Sequence, residues 1–326
     1  GNEAGISARS LDGQDISITN DGIIRNLSGA TNGLAIAVKG GATTIDNNGQ
    51  LIGKVMTGAG FSTGLTNDGV WNTAHGRSYF NGSDDIVDNN GLLIAAENAA
   101  ESEITMLHDM ERFNNAGLVS LVDGQAGDAF TMFDVNTAPG TRYVGNNGRL
   151  AVDAVLAGPG TGASDIMTVG GVTGGTTRVV VNILDATSPN YDGIRVVTAV
   201  ATAEEDFDLA DGPLNGGFFT WDLRARDLLF IGPSQVLVTT GVGAGAYEMA
   251  AGITGGQDLW QQTTGTLLQR QADLRALLAG AQVTPVADFT EPVAPTPVAS
   301  VTPGSPAQEA GILPGDRFVS VDGEKV

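Results

Sequence analysis

The sequence predicts an all-β fold, a parallel β-helix in which short strands wind into stacked coils. The main observation is a repeated phrase: an apolar residue, an Asn or Asp pair, a glycine and a second apolar run. A chain of 326 residues with 47 glycines and 41% hydrophobic content can bury a core in such thin strands. Repeats at this spacing indicate a solenoid, in which each unit stacks on the next.

The repeated phrase occurs six times. Its copies are ITNDGII, IDNNGQLI, LTNDGVW, VDNNGLLI, FNNAGLV and YVGNNGRLAV, closed by Gly22, Gly49, Gly69, Gly91, Gly117 and Gly148. Successive glycines are 27, 20, 22, 26 and 31 residues apart. Since Asn, Asp and Gly tolerate left-handed backbone, we expect the phrase to turn the chain in that conformation. A β-sandwich is the alternative, but it does not require the same phrase in every coil.

Charge and composition narrow the class of function. The net charge is −21, from 37 acidic and 16 basic residues, and no basic cluster offers a surface for nucleic acid or for anionic membranes. The chain has no cysteine, so stacking and not a disulfide framework must stabilise it. No HExxH, CxxC or phosphate-loop motif is present, and we expect no cofactor and no metal site.

Residues 1–139 carry the β-helix repeats, and residues 140–238 carry longer apolar strands. A solenoid needs a cap because an open end exposes apolar core and unpaired strand edges, so we expect residues 140–238 to close it. The order of short motifs in this region resembles the pertactin-like C-terminal passenger region of autotransporters, over roughly residues 140–235. These motifs are Gly148-x-Leu150, Ser164-Asp165-Ile-Met, Thr177–Asn182, Gly193-Ile194, Phe207-x-Leu209 and Phe218–Leu223.

The resemblance implies a right-handed β-helix that is exported through an outer-membrane β-barrel translocator encoded downstream. It also implies that the C-terminal region folds first and templates the rest. Residues 257–280 have near-helical apolar spacing, which predicts the one α-helix of the chain. Residues 281–296 form a proline-rich linker.

The last segment, residues 297–326, departs from the autotransporter order. Its motifs SPAQEAG (305–311), PGD (314–316) and VDGEKV (321–326) resemble the start of a bacterial PDZ domain. Such domains occur in periplasmic proteases and membrane-embedded metalloproteases. We expect a partial α+β fragment without peptide binding, from either an unusual gene or a join of two reading frames near Pro303.

Candidate catalytic residues are few. The two histidines, His75 and His108, could pair with Asp84 or Asp109 as an orienting carboxylate, but no nucleophile elbow accompanies them. Glycosidase carboxylates must converge across about 5–9.5 Å, which neighbours on one strand seldom do. The three carboxylate clusters are therefore interpreted as solvated turns: Asp84/Asp85, Asp109/Glu111 and Glu204/Glu205/Asp206. We assign no catalytic residue.

Two functions remain as hypotheses. The first is a non-enzymatic autotransporter passenger, surface-exposed or secreted, whose β-helix is a stalk for adhesion, aggregation or biofilm. Its partners would be a host or neighbouring cell surface, or extracellular matrix or polysaccharide, with no nucleic acid. The alternative is a β-helical carbohydrate-active enzyme, a polysaccharide lyase or hydrolase.

Overall fold

The computed structural model describes residues 4–133, 140–228 and 232–243, together with parts of residues 300–325. The chain divides into two compact units, Gly1–Gly255 and Gly256–Val326. The first unit is a parallel β-solenoid of about seven coils, which confirms the predicted fold class. The predicted helix (257–280) and linker (281–296) lie outside the described residues.

Each of the first five coils contains three short strands. In chain order they are β1 (Ile6–Arg9), β2 (Ile16–Asn20), β3 (Ile23–Arg25), β4 (Leu34–Lys39), β5 (Thr43–Asn47), β6 (Gln50–Ile52), β7 (Lys54–Met56), β8 (Thr63–Asn67), β9 (Val70–Asn72), β10 (Arg77–Tyr79), β11 (Ile86–Asn89), β12 (Leu92–Ile94), β13 (Ile104–His108), β14 (Arg112–Asn115) and β15 (Leu118–Ser120). Two of the three strands of a coil follow each other closely in the chain, because the repeated phrase contains the end of one strand and the start of the next.

From the sixth coil onward the strands lengthen. They are β16 (Ala129–Phe133), β17 (Thr141–Leu156), β18 (Ala163–Ser164), β19 (Ile166–Ala186), β20 (Ile194–Ala201), β21 (Phe207–Leu209), β22 (Leu214–Gly216), β23 (Phe219–Leu228) and β24 (Gly232–Val242), with a short 3-10 helix at Glu204–Asp206. In the second unit, β25 (Ser320–Val321) and β26 (Glu324–Lys325) pair antiparallel. No helix among the described residues is long and apolar enough to cross a membrane.

Equivalent strands of successive coils pair in parallel and form three sheets. The first sheet contains β1, β4, β7, β10, β13, β16, β19 and β20. The second contains β2, β5, β8, β11, β14, β17 and β19. The third contains β3, β6, β9, β12, β15, β17, β19 and β21. The long strands β17 and β19 thus each pass through more than one sheet.

The core consists of apolar columns along the solenoid. The registers of the second sheet stack Ile18, Ile45, Leu65, Val87 and Phe113, all buried. Within one coil, such side chains would touch few others. Stacking places each above its equivalent, so the coils share a continuous apolar core.

A column of buried asparagines runs beside this core. We call Asn20, Asn47, Asn67, Asn89 and Asn115 the asparagine ladder. The Nδ2 of each of the first four donates to the Oδ1 of the next rung, at 2.6, 2.7, 2.8 and 2.9 Å in order. Each Nδ2 also donates to a backbone carbonyl of the next coil, at 2.9 to 3.3 Å. Both N–H groups of every amide are therefore satisfied in the interior, as burial requires.

The phrase glycines form a second column, and their role differs from the predicted one. A Cβ added at Gly49 would lie 2.1 Å from the carbonyl oxygen of Gly22, and the same distance recurs at the next three copies of the phrase. None of these glycines, nor the residue before each, has left-handed φ; the sixth copy is the exception, with φ 60° at Asn147. The prediction of a left-handed turn is therefore wrong for five copies. Close approach of the coils requires glycine at the second to fifth copies, whereas a Cβ at Gly22 would meet open space.

The ladder ends at an aromatic group. Asn115 Nδ2 donates to the hydroxyl oxygen of Tyr143 (3.3 Å), which lies 2.8 Å from Thr177 Oγ1. The Tyr143 ring stacks between Phe113 and Phe207, at centroid distances of 6.1 and 5.8 Å. Burial raises the pKa of Tyr143 to about 12, so its hydroxyl stays protonated and continues the polar column.

Antiparallel strands close the parallel stack. The strand β24 pairs antiparallel with β20 and with β23, and β22 pairs antiparallel with β23. Trp221 on β23 is completely buried beneath this meander. Among the described residues, the run of parallel pairings thus gives way to antiparallel ones at β24.

Candidate functional site

His108 lies on β13, where its side chain is half-buried in the first sheet. Its ring lies between Tyr79 and Phe133 of the neighbouring coils, at centroid distances of 4.9 and 4.2 Å. Its Nδ1 is 3.0 Å from Asp109 Oδ2, so the structure brings this candidate pair together. Asp109 has left-handed φ (54°) and is itself 9% exposed. The pair is held by aromatic packing within the sheet.

His75 occupies a different environment, in the loop between β9 and β10. It is exposed, with φ 56°, and lines a cavity of about 480 Å³ together with Glu97, Glu101 and Glu103. Glu97 Oε2 accepts from Asn72 Nδ2 at 2.7 Å, and Glu103 Oε2 accepts from the Glu97 N–H at 2.6 Å. No local pattern in the sequence marks these three glutamates, because only the coil fold brings them to His75.

The first carboxylate cluster divides between surface and interior. Asp84 is exposed, as expected, and does not line the cavity at His75. Asp85 is completely buried and accepts hydrogen bonds from the N–H groups of Thr63 (2.6 Å) and Gly82 (2.7 Å). Burial raises the pKa of Asp85. The interpretation as a solvated turn is therefore wrong for Asp85, which links two coils.

The other two clusters also have fixed members. Glu111 Oε2 accepts from the Asp85 N–H at 2.6 Å, one coil away. Glu204 and Glu205 are exposed, whereas Asp206 is 6% exposed and its Oδ2 accepts from Thr173 Oγ1 at 2.6 Å. The solvated-turn interpretation is therefore wrong for Asp206 and for the buried Asp109 as well. Contacts with a neighbouring coil bury these acids, as the bond from Thr173 on β19 shows for Asp206.

A set of buried carboxylates connects the fifth, sixth and seventh coils. We call Glu103, Asp123, Asp128, Asp153 and Asp165 the carboxylate seam. The Glu103 N–H donates to Asp128 Oδ1 (2.6 Å), and the Asp128 N–H donates to Asp165 Oδ1 (3.0 Å). The Asp153 N–H donates to Asp165 Oδ2 (2.7 Å), and the Asp123 N–H donates to Asp153 Oδ2 (2.9 Å). Except for Asp123, these residues are at most 4% exposed.

Two aspartates of the carboxylate seam have unusually high pKa values. Burial raises the pKa of Asp128 to about 6 and that of Asp165 to about 7, because desolvation outweighs the donated N–H bonds. Three seam members, Glu103, Asp128 and Asp165, each directly precede a strand of the first sheet. That position is the signal that could have identified them. Among the described residues, no group of three or more His, Asp or Glu is arranged to hold a metal ion.

Comparison with known proteins concerns the C-terminal segment. Residues 298–326 match the PDZ domain family model, which confirms the predicted resemblance of the tail. This segment is 72% identical over 29 residues to a protein named "Putative zinc metalloprotease" from Brucella suis and to one from Brucella melitensis. Each match covers 9% of this chain and 8% of the relative. A protein with the same description from Mesorhizobium japonicum is 62% identical over 40 residues, and this match covers 12% of this chain and 11% of the relative.

The chain thus spans about a tenth of the length of the curated relatives that it matches. Fold and match together define a β-solenoid protein with a PDZ-like C-terminal segment.

Proposed function

We propose that the solenoid is a non-enzymatic stalk of an autotransporter passenger, exposed at the cell surface or secreted, that serves adhesion, aggregation or biofilm formation. The observation that carries the proposal is the unbroken stack of coils, fastened by the asparagine ladder and a shared core. Such a stack is stiff along its axis and repeats its outer surface, which suits a spacer between a cell and its contact partner.

Two further features support this proposal. The resemblance of residues 140–235 to pertactin-like passengers would place an outer-membrane β-barrel translocator among the partners. The net charge of −21 without cysteine suits a chain that stays soluble and crosses a membrane before it folds. The expected partners are a host or neighbouring cell surface, extracellular matrix, or polysaccharide.

Binding of the purified 326-residue chain to bacterial cells, host cells, matrix proteins and immobilised polysaccharides tests the proposal. We expect saturable binding to at least one surface and no turnover of a polysaccharide panel. Absence of binding to every surface, or turnover of a glycan, would contradict the stalk function. Labelled chain and fluorescent reducing-end assays give the two readouts in parallel.

A carbohydrate-active enzyme is the second candidate, and the cavity at His75 favours it. Its polar lining brings Glu97 and Glu101 beside an imidazole, and paired carboxylates are the groups that glycoside cleavage uses. In this case Glu101→Gln should abolish turnover of the panel while the chain stays folded. The matched control is Glu205→Gln, an exposed glutamate elsewhere on the solenoid.

A further inference from the structure

Two oxygens of the carboxylate seam have no hydrogen-bond partner. Asp128 Oδ2 and Asp123 Oδ2 are both buried, and neither accepts a hydrogen bond in the described part of the chain. The other Asp128 oxygen accepts from Glu103, and the other Asp123 oxygen accepts from the Gln125 N–H at 2.8 Å. Buried polar atoms almost always have a partner, so these two oxygens indicate a missing one.

The charges around Asp128 are all negative. Glu103 and Asp123 face it from the fifth coil, Asp153 from its own sixth coil and Asp165 from the seventh coil. Three further titratable groups, His75, Glu97 and Glu101, line one cavity together with Glu103. In the described residues, no ion pair involves a seam carboxylate. Five carboxylates without a basic partner repel one another unless something neutralises them.

We propose that the seam binds a proton on Asp128, which donates to Asp123 Oδ2, and that this proton fastens the fifth, sixth and seventh coils in a pH-dependent way. Protonation turns one unpaired acceptor into a donor for the other. It also removes one negative charge from the centre of the cluster. The coils are then closed in mildly acidic solution and open locally more often as the proton leaves.

The sign of the pH effect on stability follows from the difference in pKa between the folded and the unfolded chain. The pKa values of Asp128 (about 6) and Asp165 (about 7) lie above the ordinary 3.8. The folded state therefore holds protons that the unfolded chain has released. This contribution to stability is complete below about pH 4 and is lost as the pH rises through 6 to 7.

Hydrogen exchange of the full chain at about pH 5 and about pH 8 tests the proposal. After correction for the intrinsic pH dependence of exchange, amides of β13, β16 and the first part of β19 should open about tenfold more often at the higher pH. Amides of β5 and β6, far from the seam, should change little. An equal change in all coils, or none, would overturn the proposal.

The variant Asp128→Asn tests whether the proton on Asp128 causes the pH response. Its amide supplies a permanent donor and no charge, so the pH response of β13, β16 and β19 should fall well below that of the wild type and keep only the part that Asp165 contributes. The matched control is Asp12→Asn, an exposed aspartate, which should keep the wild-type response. Equal responses in the two variants would refute the assignment. Recovery of protection from hydrogen exchange at about pH 8 on adding calcium would also refute the assignment, because a cation and not a proton would then neutralise the seam. Should Asp128→Asn not fold, the wild-type profile still decides.

Discussion

Replacing Asn89 by alanine should destabilise the solenoid far more than the same change at its neighbour Asn90. Asn89 is completely buried in the asparagine ladder. It accepts from Asn67 Nδ2 at 2.8 Å and donates to Asn115 Oδ1 at 2.9 Å and to the Leu118 carbonyl at 3.3 Å. Alanine removes all three bonds: the buried Asn115 Oδ1 loses its ladder donor, and Asn67 Nδ2 keeps only its bond to the Leu92 carbonyl.

The magnitude follows from those bonds. Each net hydrogen bond contributes about 1 kcal/mol, and each orphaned buried group costs about 1–3 kcal/mol. We therefore expect Asn89→Ala to lower the free energy of local unfolding by about 3–5 kcal/mol. Asn90 is exposed and makes one bond, from its Nδ2 to Asp68 Oδ1 at 2.8 Å. Water replaces that bond, so Asn90→Ala should cost under about 0.5 kcal/mol.

Native-state hydrogen exchange of peptides that cover β8, β11 and β14 measures both variants. A solenoid opens coil by coil, so local opening free energies report the change better than a single global transition. Asn89→Asp adds a second comparison, because it keeps the side-chain size but turns the donor into an acceptor. It should destabilise at least as much as alanine. Equal costs for Asn89→Ala and Asn90→Ala would refute the reasoning that the inner ladder fastens the coils.

Three other variants or conditions test the same picture. Gly69→Ala should lower the free energy of unfolding by about 3 kcal/mol or prevent folding, because its Cβ would lie 2.1 Å from a carbonyl oxygen of the preceding coil. The control Gly64→Ala has open space at its Cβ and should change that free energy little, as measured by chemical denaturation. Tyr143→Phe should lower stability by about 1–2 kcal/mol in the same assay, because the buried 2.8 Å contact with Thr177 is lost. The midpoint temperature of thermal unfolding should be lower at about pH 8 than at about pH 5, because the pKa of Asp165 is raised to about 7 and its bound proton leaves in that range. A midpoint temperature that is higher at about pH 8 would contradict this.

Much of the fold could be predicted from local pattern. The phrase around Gly49 and Gly69 recurs with the period of one coil, and stacking in register places equal residues above one another. The reason for the glycine could not be predicted from the phrase alone. Left-handed backbone and lack of space both select glycine, and the distance between coils distinguishes them.

The candidate site was less accessible to sequence reasoning. Asp84 and Asp85 are neighbours of the same type, yet one is exposed and the other is completely buried. Glu101 and His75 lie 26 residues apart in the chain and line one cavity. No local pattern encodes that meeting, because it depends on how far each loop reaches around the coil.

The sequence by itself determined that this chain forms a β-solenoid, because a periodic phrase produces equal coils whose apolar faces must be buried against one another. It also determined the PDZ-like character of the tail, through motifs that are contiguous in the chain. The tertiary structure alone decided which polar residues lie inside. Asn89 and Asn90 have the same chemistry, but Asn89 ends β11 and Asn90 follows it in the turn, and the coils above and below bury only Asn89. Burial in turn raises the pKa of the seam aspartates, so their chemistry depends on contacts between coils that are distant in sequence.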